Sequence, residues 1–405
     1  MRVLVLDTIH GAAEIGQAYA KRGHDVDIVD IYRGTTPGVL QEAHGTHYDL
    51  VAAPVHTDPD HPLVQRAGPA LITHHAAVRR LLGSDCPRPL IEITGARGKT
   101  TTAHALAHIL GGPGVLHTSA GTFAFPTKKL LFKKSIAPSS VLAAARSART
   151  IGGFLVAEES LGVTGAGDLA IMTSHEDYPI AAGKKRAMDA KAASFRYAFR
   201  VLAASGVVYP GKNVVHLEDI ARCTGDACSV FWQGSKWTVK NPLFLLPPYR
   251  TPLMLAAGAA AVLGRDPAPL ATFEALPGRL SVIHDGQSVT VDNSNSGTNP
   301  STTACAARYA RYLAPGASLT LVIGQAEGDG KVCEGFSAEQ VAEAIEAVGP
   351  SRVILVGKLP ADVQAYASRQ LPEIASVCRT FAEARDRARE LDDGGATVLS
   401  VKTWR

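Results

Sequence analysis

The chain has 405 residues, which is long for one domain, so we expect two or three domains with their own hydrophobic cores. Hydrophobic residues make up 46% and charged residues 19%, as in ordinary globular proteins. A dispersed net charge of +4 and an aromatic content of only 6% argue against nucleic acid as a partner.

Cysteine usage and hydropathy bear on where the protein works. Six cysteines are too few and too scattered for a disulfide framework, and Cys223 and Cys228 lack a second pair for a zinc site. The longest apolar run, 252–263, is too short to cross a bilayer, and a strand-like segment at residue 2 leaves no signal peptide. We therefore expect a cytoplasmic protein without a membrane partner. Its oligomeric state is left open.

Residues 1–87 have the pattern of a small α/β domain. The start is Rossmann-like but lacks the GxGxxG fingerprint, so we do not predict dinucleotide binding. The predicted elements are strands at 3–7, 26–31, 49–53 and 70–73 and a helix at 12–22.

Histidines are frequent in this domain: His10, His44, His47, His56, His61, His74 and His75. Three interpretations stay open, namely local hydrogen bonding, which the sequence favours, a metal site, and contact with a carboxylate-bearing substrate. The third applies to His10, His56 and His75, because ligands bind at the carboxyl ends of parallel strands.

Residues 91–102 predict a strand, a glycine-rich turn and a helix, in the order of a phosphate-binding loop. Lys99 is expected to reach the β- and γ-phosphates, and the Thr100 hydroxyl to bind Mg²⁺. The helical pattern runs over 103–110 and ends at Gly111. A turn that only packs a helix on a strand is the alternative. The predicted nucleotide contacts are Gly95, Ala96, Arg97, Gly98, Lys99, Thr100 and Thr101.

Polar residues follow two further predicted strands of this region. The strand 154–157 leads to Glu158, a carboxylate well placed to hold Mg²⁺, and the strand 169–173 leads to His175. We expect a following helix to carry Lys184, Lys185 and Lys191. The basic loop 126–134 is either a solvated hairpin tip, which the sequence favours, or a clamp on substrate carboxylates. Its lysines are Lys128, Lys129, Lys133 and Lys134.

A third α/β pattern begins near residue 281 and predicts a parallel sheet. One strand ends in Asp292 and is followed by a polar turn. Ser337 and Gln340 predict a capping box for a helix that Gly349 ends. The predicted strands are 289–292, 319–323, 353–356 and 397–401.

These motifs resemble those of the Mur ligase superfamily, the ATP-dependent ligases of peptidoglycan and folylpolyglutamate synthesis. The segment 94–101 is similar to the family's short loop G-T-[NK]-G-K-T-T, with Ala96 and Arg97 as departures. Glu158-Glu159-Ser160 resembles the family's E-x-S segment, and His175-Glu176-Asp177 resembles its histidine motif. Lys191 matches the family's carbamylated lysine. Pro277-Gly278-Arg279 resembles its P-G-R segment, and Asp292 matches its nucleotide-binding acid.

The resemblance implies three domains: an N-terminal Rossmann-like substrate-binding domain (1–87), a central P-loop ATP-binding domain (88–280) and a C-terminal Rossmann-like domain (281–405) closing over ATP. It further implies ATP and Mg²⁺ (one or two ions), with activation of a carboxylate as an acyl phosphate. The implied metal ligands are Thr100, Glu158 and His175. The implied catalytic residues are Lys99, Glu158, His175 and a carbamylated Lys191. Further nucleotide contacts are Arg279, Asp292 and Asn295.

Two departures leave roles unassigned. Tyr249-Arg250-Thr251-Pro252 stands where the family has H-N-x-x-N, and Asn295 replaces a histidine after Asp292. The residues that contact adenine and steer the nucleophile are therefore not predicted.

Short stretches within 5–11, 53–56, 61–63, 72–75 and 292–299 resemble the coenzyme F430 synthetase family, Mur-like enzymes of methanogenic archaea. The resemblance implies closure of the last carbocyclic ring of a nickel tetrapyrrole, from 15,17(3)-seco-F430-17(3)-acid, with release of ADP and phosphate. That polycarboxylate would contact the four lysines of 126–134 and the three strand-end histidines. The alternatives are an amide-forming Mur-type ligase and a P-loop nucleotide switch. A switch has no use for the metal and carbamate residues.

Overall fold

The computed structural model describes residues 1–7, 9–32, 37–295, 297–326, 336–357 and 374–403. The chain divides into two compact units, the first Met1–Leu245 with Tyr249–Phe273 and the second Leu246–Pro248 with Glu274–Arg405. Within the described ranges, no helix combines the length and the apolar character needed to cross a membrane.

The first sheet of unit 1 has four parallel strands, as predicted. In the strand Arg2–Leu6, Val3 and Val5 are buried on one face and Leu4 and Leu6 on the other, as expected for a parallel strand covered on both faces. In spatial order the strands are Asp25–Val29, Arg2–Leu6, Leu50–Ala53 and Leu71–Thr73. The helices of this part are Ala12–Ala20, Pro37–Gly45, Pro62–Ala67 and His74–Leu82, with a short 3-10 helix at Gly68–Ala70.

The second sheet of unit 1 has eight strands, of which the first six in spatial order are parallel and the last two antiparallel. That order is Val214–His216, Val201–Ala203, Leu169–Met172, Leu90–Thr94, Phe154–Glu158, Gly114–Thr118, Gly121–Phe125 and Lys129–Phe132. The helices that follow residue 90 and precede unit 2's sheet are Lys99–Leu110, Pro138–Ile151, Ala187–Phe195, Leu217–Ile220 and Pro247–Val262.

Smaller elements complete this part of the chain. A three-stranded antiparallel sheet pairs Cys223 with Cys228 in register, and both thiols are free. Its strands are Ala221–Thr224, Ala227–Trp232 and Ser235–Lys240. A two-residue pair joins Pro179–Ile180 to Lys185–Arg186, and 3-10 helices lie at Pro242–Leu245 and Ala268–Thr272.

The two larger sheets of unit 1 share one hydrophobic core. Ala77 and Val78 of the helix His74–Leu82 belong to the same buried cluster as Val141 and Ala144 of the helix Pro138–Ile151. Small side chains at such positions let helices approach closely. The predicted domain boundary at residue 87 thus separates two sheets that pack on common side chains.

The prediction of one helix carrying three lysines is wrong for Lys184 and Lys185. Lys185 lies in the short strand Lys185–Arg186, and the helix that carries Lys191 begins at Ala187. The cause is a left-handed turn over Ala181, Ala182 and Gly183, which turns the chain back to pair with Pro179–Ile180.

Unit 2 has a six-stranded sheet that is parallel except for its first strand, an antiparallel partner not predicted from the sequence. In spatial order the strands are Ser281–Asp285, Ser288–Asp292, Ala396–Lys402, Leu319–Gln325, Arg352–Val356 and Ile374–Cys378. The predicted capping box of Ser337 and Gln340 is confirmed. The helices are Pro300–Leu313, Ala338–Val348 and Phe381–Glu390.

Candidate active site

The predicted phosphate loop joins the strand Leu90–Thr94 to the helix Lys99–Leu110, which begins four residues before the predicted helical pattern. A Cβ atom on Gly95 would lie 2.2 Å from Thr173 Oγ1, so only glycine fits there. The backbone N–H groups of Ala96 and Arg97 both donate to Ser174 Oγ, at 2.9 and 3.3 Å. Amides that converge on one oxygen in this way suit a phosphate oxygen equally well.

Glu158 lies at the end of the neighbouring strand, and its residue is only 2% exposed. Its carboxylate accepts hydrogen bonds from Thr100 Oγ1 at 3.0 Å and from the Ser119 backbone N–H at 3.2 Å. Lys99 Nζ lies 3.8 Å from the same carboxylate and donates to the Gly95 carbonyl at 3.0 Å. A carboxylate, a hydroxyl and a loop lysine in contact fit Mg²⁺ and a nucleotide phosphate.

Lys191 is completely buried, and its Nζ has no hydrogen-bond partner within the described part of the chain. The nitrogen lies 4.8 Å from the centre of the Tyr178 ring. Burial lowers the pKa of Lys191, and the nearby Lys99 cation lowers it further. The side chain is therefore closer to the neutral amine than an ordinary lysine.

The segment after the strand Leu169–Met172 holds in place the helix Ala187–Phe195, which carries Lys191. Asp177 accepts from the Met188 backbone N–H at 2.9 Å and from Arg186 Nε at 2.7 Å, and so anchors the first turn of the helix Ala187–Phe195. His175 is exposed beside Gly206, and Glu176 lies 3.5 Å from Arg97 of the phosphate loop. The structural role of Asp177 was not predicted.

Glu159 lies next to Glu158 in sequence but in different surroundings. It is fully buried, and its carboxyl oxygens have no hydrogen-bond partner among the described residues. Burial and the nearby Glu92 carboxylate raise the pKa of Glu159 well above its usual range. Glu92 accepts hydrogen bonds from the backbone N–H groups of Thr164, Gly165 and Gly167. Glu159, which has no such donors, is therefore the carboxyl of this pair whose protonated form the fold favours.

A cavity of about 220 Å³ lies between side chains of the first sheet and of the helix Ala187–Phe195. Among the described residues that line it, none is Asp or Glu, whereas Arg79, Arg80, Lys185 and Arg196 are all cationic. The Arg79 guanidinium stacks 3.7 Å from the centre of the Tyr197 ring. Sequence reasoning missed this site, because its cations come from segments more than 100 residues apart.

The predicted substrate histidines fall into two groups. His75 Nε2 lies 3.0 Å from the Ser160 carbonyl oxygen, and His74 Nε2 lies 3.0 Å from the Leu6 carbonyl oxygen. Burial lowers the pKa of His74 to about 3 and that of His75 to about 4, so both are neutral. Both imidazoles are therefore engaged in local hydrogen bonds. His75 also lines the cationic cavity, and its contact with a substrate stays a prediction. His10 and His56 instead lie together, with ring centres 4.5 Å apart.

The predicted lysine clamp lies on the hairpin of Gly121–Phe125 and Lys129–Phe132. Lys128, Lys129 and Lys133 are exposed there, whereas Lys134 Nζ lies 2.8 Å from Glu14 Oε1 of the first helix. Three of the four ammonium groups therefore face solvent. Their role in substrate binding stays a prediction.

The predicted nucleotide contacts Arg279, Asp292 and Asn295 belong to unit 2. Asp292 accepts from the Ser294 backbone N–H at 2.9 Å and from the Ser294 hydroxyl. Asn295 Nδ2 donates to the Gly278 carbonyl at 2.7 Å and so ties the polar turn to the segment that contains Arg279. Arg279 is partly buried.

The segment Tyr249-Arg250-Thr251-Pro252, which stands where the family has H-N-x-x-N, lies in the helix Pro247–Val262 and belongs to unit 1. A Cβ atom on Gly98 would lie 3.2 Å from Pro252 Cγ, so this proline packs on the phosphate loop. Arg250 Nε donates to the Phe244 carbonyl at 2.8 Å. The segment is thus part of the loop's immediate surroundings.

Comparison with known proteins identifies the family. Residues 283–403 match the family described as "Coenzyme F430 synthetase CfbE, C-terminal domain". Over its full length the chain is 30% identical to the coenzyme F(430) synthetase of Methanosarcina acetivorans, covering 100% of this chain and 99% of that protein. The chain belongs to the coenzyme F430 synthetase family. This confirms the family resemblance predicted from the sequence.

Solved structures confirm the fold. A pseudomurein peptide ligase type C from Methanothermus fervidus superposes with a TM-score of 0.52 at 16% identity, covering 99% of this chain and 97% of that chain. A bifunctional folylpolyglutamate synthase/dihydrofolate synthase with Mn, AMPPNP and L-glutamate bound gives 0.55 at 16% identity, covering 82% and 90%. The chain has the three-domain Mur-ligase fold, and its family membership makes it an ATP-dependent ligase.

The raised pKa of Glu159 predicts the effect of Glu159→Gln. In the unfolded chain this carboxyl ionises near its ordinary pKa, whereas the folded protein keeps it protonated. Wild-type stability is therefore fully present below the ordinary pKa and falls as pH rises above it. We expect Glu159→Gln to unfold like wild type in acid and to be the more stable protein at pH 8, in thermal melts across pH.

Glu14→Gln is the matched control. The hydrogen bond from Lys134 lowers the pKa of Glu14, so its contribution is present above the ordinary pKa and lost in acid. This variant should be the less stable protein at pH 8. Equal melting temperatures for Glu159→Gln and wild type at every pH would contradict the assignment of Glu159 as protonated.

Proposed function

We propose that this enzyme closes a carbocyclic ring on a polycarboxylate nickel tetrapyrrole, with ATP as the energy source. Its relatives are named coenzyme F(430) synthetases. The observation that carries the proposal is the contact of Lys99 and Thr100 with the buried Glu158, within the same compact unit as the cationic cavity. The former suits phosphoryl transfer and the latter suits carboxylates. We propose the cytoplasm as its location.

The first step would transfer the γ-phosphoryl group of ATP to one substrate carboxylate, giving an acyl phosphate and ADP. Lys99 and the loop amides would hold the phosphates in line with the attacking carboxylate. Mg²⁺ on Thr100, Glu158 and His175 would supply positive charge to the phosphoryl oxygens. We propose that Asp292, Asn295 and Arg279 contact the nucleotide when the C-terminal domain closes.

The second step would be attack by a ring carbon of the same substrate on the acyl carbon. The carbon–carbon bond forms, inorganic phosphate leaves, and the carbon loses a proton, so a cyclic ketone results. Because the nucleophile is already part of the bound molecule, the protein's task is to position it and to keep water from the acyl phosphate. No amine site is required.

We expect ADP to form when the purified enzyme receives ATP, Mg²⁺ and the seco-tetrapyrrole acid with no amine present. Lys99→Ala should lower that rate roughly 10²–10³-fold, because removal of one transition-state donor costs that much. Lys240→Ala, a change at an exposed lysine, is the control and should match wild type. ADP release is followed in a coupled assay, and circular dichroism checks folding.

Two results would overturn this assignment. ADP formation that requires an added amino acid or amine would make the protein an amide-forming ligase. Equal ATP hydrolysis with and without any carboxylate substrate would instead favour a nucleotide switch.

We further propose that CO₂ carbamylates Lys191. A buried amine with a lowered pKa and no hydrogen-bond partner among the described residues is suited to that reaction. The product carries a carboxylate-like group whose oxygen atoms would bind the metal. With ¹³C-labelled bicarbonate, wild type should show a carbamate resonance that Lys191→Ala lacks and Lys240→Ala keeps. A resonance that persists in Lys191→Ala, or its absence from wild type, would contradict the proposal.

The cationic cavity is proposed to hold carboxylate arms of the substrate, and the exposed lysines of 126–134 are proposed as further substrate contacts. Lys185 Nζ lies 3.3 and 3.4 Å from the Val55 and Thr57 carbonyl oxygens at the cavity wall. Lys184 Nζ instead pairs with Asp58 and Asp60, at 2.7 and 2.6 Å. These adjacent lysines differ in surroundings, and so form a matched pair for mutation.

We expect Lys185→Gln to raise the KM for the tetrapyrrole about tenfold, the equivalent of one charge-assisted hydrogen bond, with the KM for ATP unchanged. Lys184→Gln should leave both constants close to wild type. Steady-state kinetics with each substrate varied in turn measures both. Equal effects of the two changes would exclude the cavity as part of the substrate site. Unchanged affinity for the tetrapyrrole after charge reversal of the 126–134 lysines would exclude those lysines from substrate binding.

A further inference from the structure

Three potential ligands converge at the carboxyl ends of two neighbouring strands of the first sheet. One ligand atom each from Asp7, His10 and His56 lies within 4.8 Å of the other two, the only such group of three or more among the described residues. Asp7 follows the strand Arg2–Leu6, and His56 follows the strand Leu50–Ala53. These strands are hydrogen-bonded neighbours in the sheet, which explains why residues 49 positions apart meet.

The carboxylate of this group is held in an unusual conformation. Asp7 is fully buried and has φ 77°, in the left-handed region that a residue with a Cβ rarely adopts. Its Oδ1 accepts the Ile9 backbone N–H at 2.7 Å, and its Oδ2 contacts His10 Nδ1. Backbone strain of this kind persists where the surrounding structure holds the residue in place, and it is concentrated at functional sites.

The two imidazoles approach from the more open side. The His10 side chain is 42% exposed, and the Tyr32 ring stacks on His56 with ring centres 5.9 Å apart. A small cavity of about 30 Å³ is lined by His10, His56 and Ser160, among others. The group is thus anchored on the carboxylate and reachable at the histidines.

We propose that Asp7, His10 and His56 bind one divalent transition-metal ion. Two imidazole nitrogens and one carboxylate oxygen suit Zn²⁺, Ni²⁺ or Co²⁺ rather than Mg²⁺, which prefers oxygen ligands. Metal–ligand bonds near 2.1 Å place tetrahedral ligands roughly 3.4 Å apart, so a modest movement of the histidine side chains closes the site. Three protein ligands leave a position for water or for a substrate oxygen.

The site is distinct from the magnesium position proposed at Thr100, Glu158 and His175, since the two ligand sets have no residue in common. It does not depend on the proposed reaction. Metal binding is measured without ATP or tetrapyrrole, so failure of the metal proposal and failure of the ring-closing proposal are separate results.

The test uses the full-length protein and Co²⁺ alone in the presence of excess Mg²⁺, which occupies oxygen-rich sites. Visible absorption of bound cobalt and metal content after gel filtration give the stoichiometry and affinity. We expect one Co²⁺ per chain in wild type. His10→Gln and His56→Gln should each weaken binding at least about tenfold, since changes even around a metal ligand cost 10–100-fold.

His47→Gln is the matched control, because it makes the same change at an exposed histidine of the same sheet region that is not in the group. It should bind cobalt like wild type. Circular dichroism confirms that the variants fold, and the exposed position of His10 makes that variant the safer of the two. Cobalt binding that is unchanged in both His10→Gln and His56→Gln, or absent from wild type, would leave a plain Asp7–His10 hydrogen bond and overturn the proposal.

Discussion

The Glu158 carboxylate, buried at the end of a central strand, is the constraint on which the candidate active site depends. A buried carboxylate without partners costs several kcal/mol, so its neighbours have to supply hydrogen bonds or positive charge. Those neighbours are the Thr100 hydroxyl, the Ser119 amide and the Lys99 ammonium. The same contacts that satisfy the charge therefore fix the start of the phosphate-loop helix against the adjacent strand. A loop held in this way needs little reorganisation when a nucleotide and its metal bind.

The hydrophobic core shared by the two larger sheets of unit 1 also fixes the first sheet in place. A Cβ atom on Gly11 would lie 1.8 Å from Ser139 Oγ, so the turn before the helix Ala12–Ala20 closely approaches the helix Pro138–Ile151. His75 reaches the Ser160 carbonyl two residues beyond Glu158. The cationic cavity is thus fixed relative to the phosphate loop by buried contacts rather than by a hinge. Such rigidity suits a reaction in which the nucleophile and the activated carboxylate belong to one bound molecule.

Local patterns predicted what local physics decides. The glycines, lysine and threonines of the phosphate loop, the capping box at Ser337 and the apolar parallel strands all follow from short-range rules, and all are present in the structure. The prediction of a helix over Lys184 and Lys185 was wrong because the turn at Gly183 and the pairing of Pro179–Ile180 with Lys185–Arg186 outweigh helical periodicity. The cationic cavity escaped prediction because only the tertiary fold brings its side chains together. The proximity of His10 and His56 was predictable in part, since both were predicted to lie at strand ends, but only the structure shows that the two strands are neighbours.

Charge also explains why Lys191 and the phosphate loop suit each other. As ammonium groups, Lys191 and Lys99 repel in a region of low dielectric, which is one cause of the lowered pKa of Lys191. Addition of CO₂ to the Lys191 amine would reverse the sign of that interaction and turn repulsion of Lys99 into attraction. It would also place two new oxygen atoms at a side chain whose nitrogen has no hydrogen-bond partner in the described ranges. The same modification would thus satisfy a buried polar atom, stabilise the phosphate-binding lysine and add a ligand for the metal, whereas an unmodified lysine does none of these.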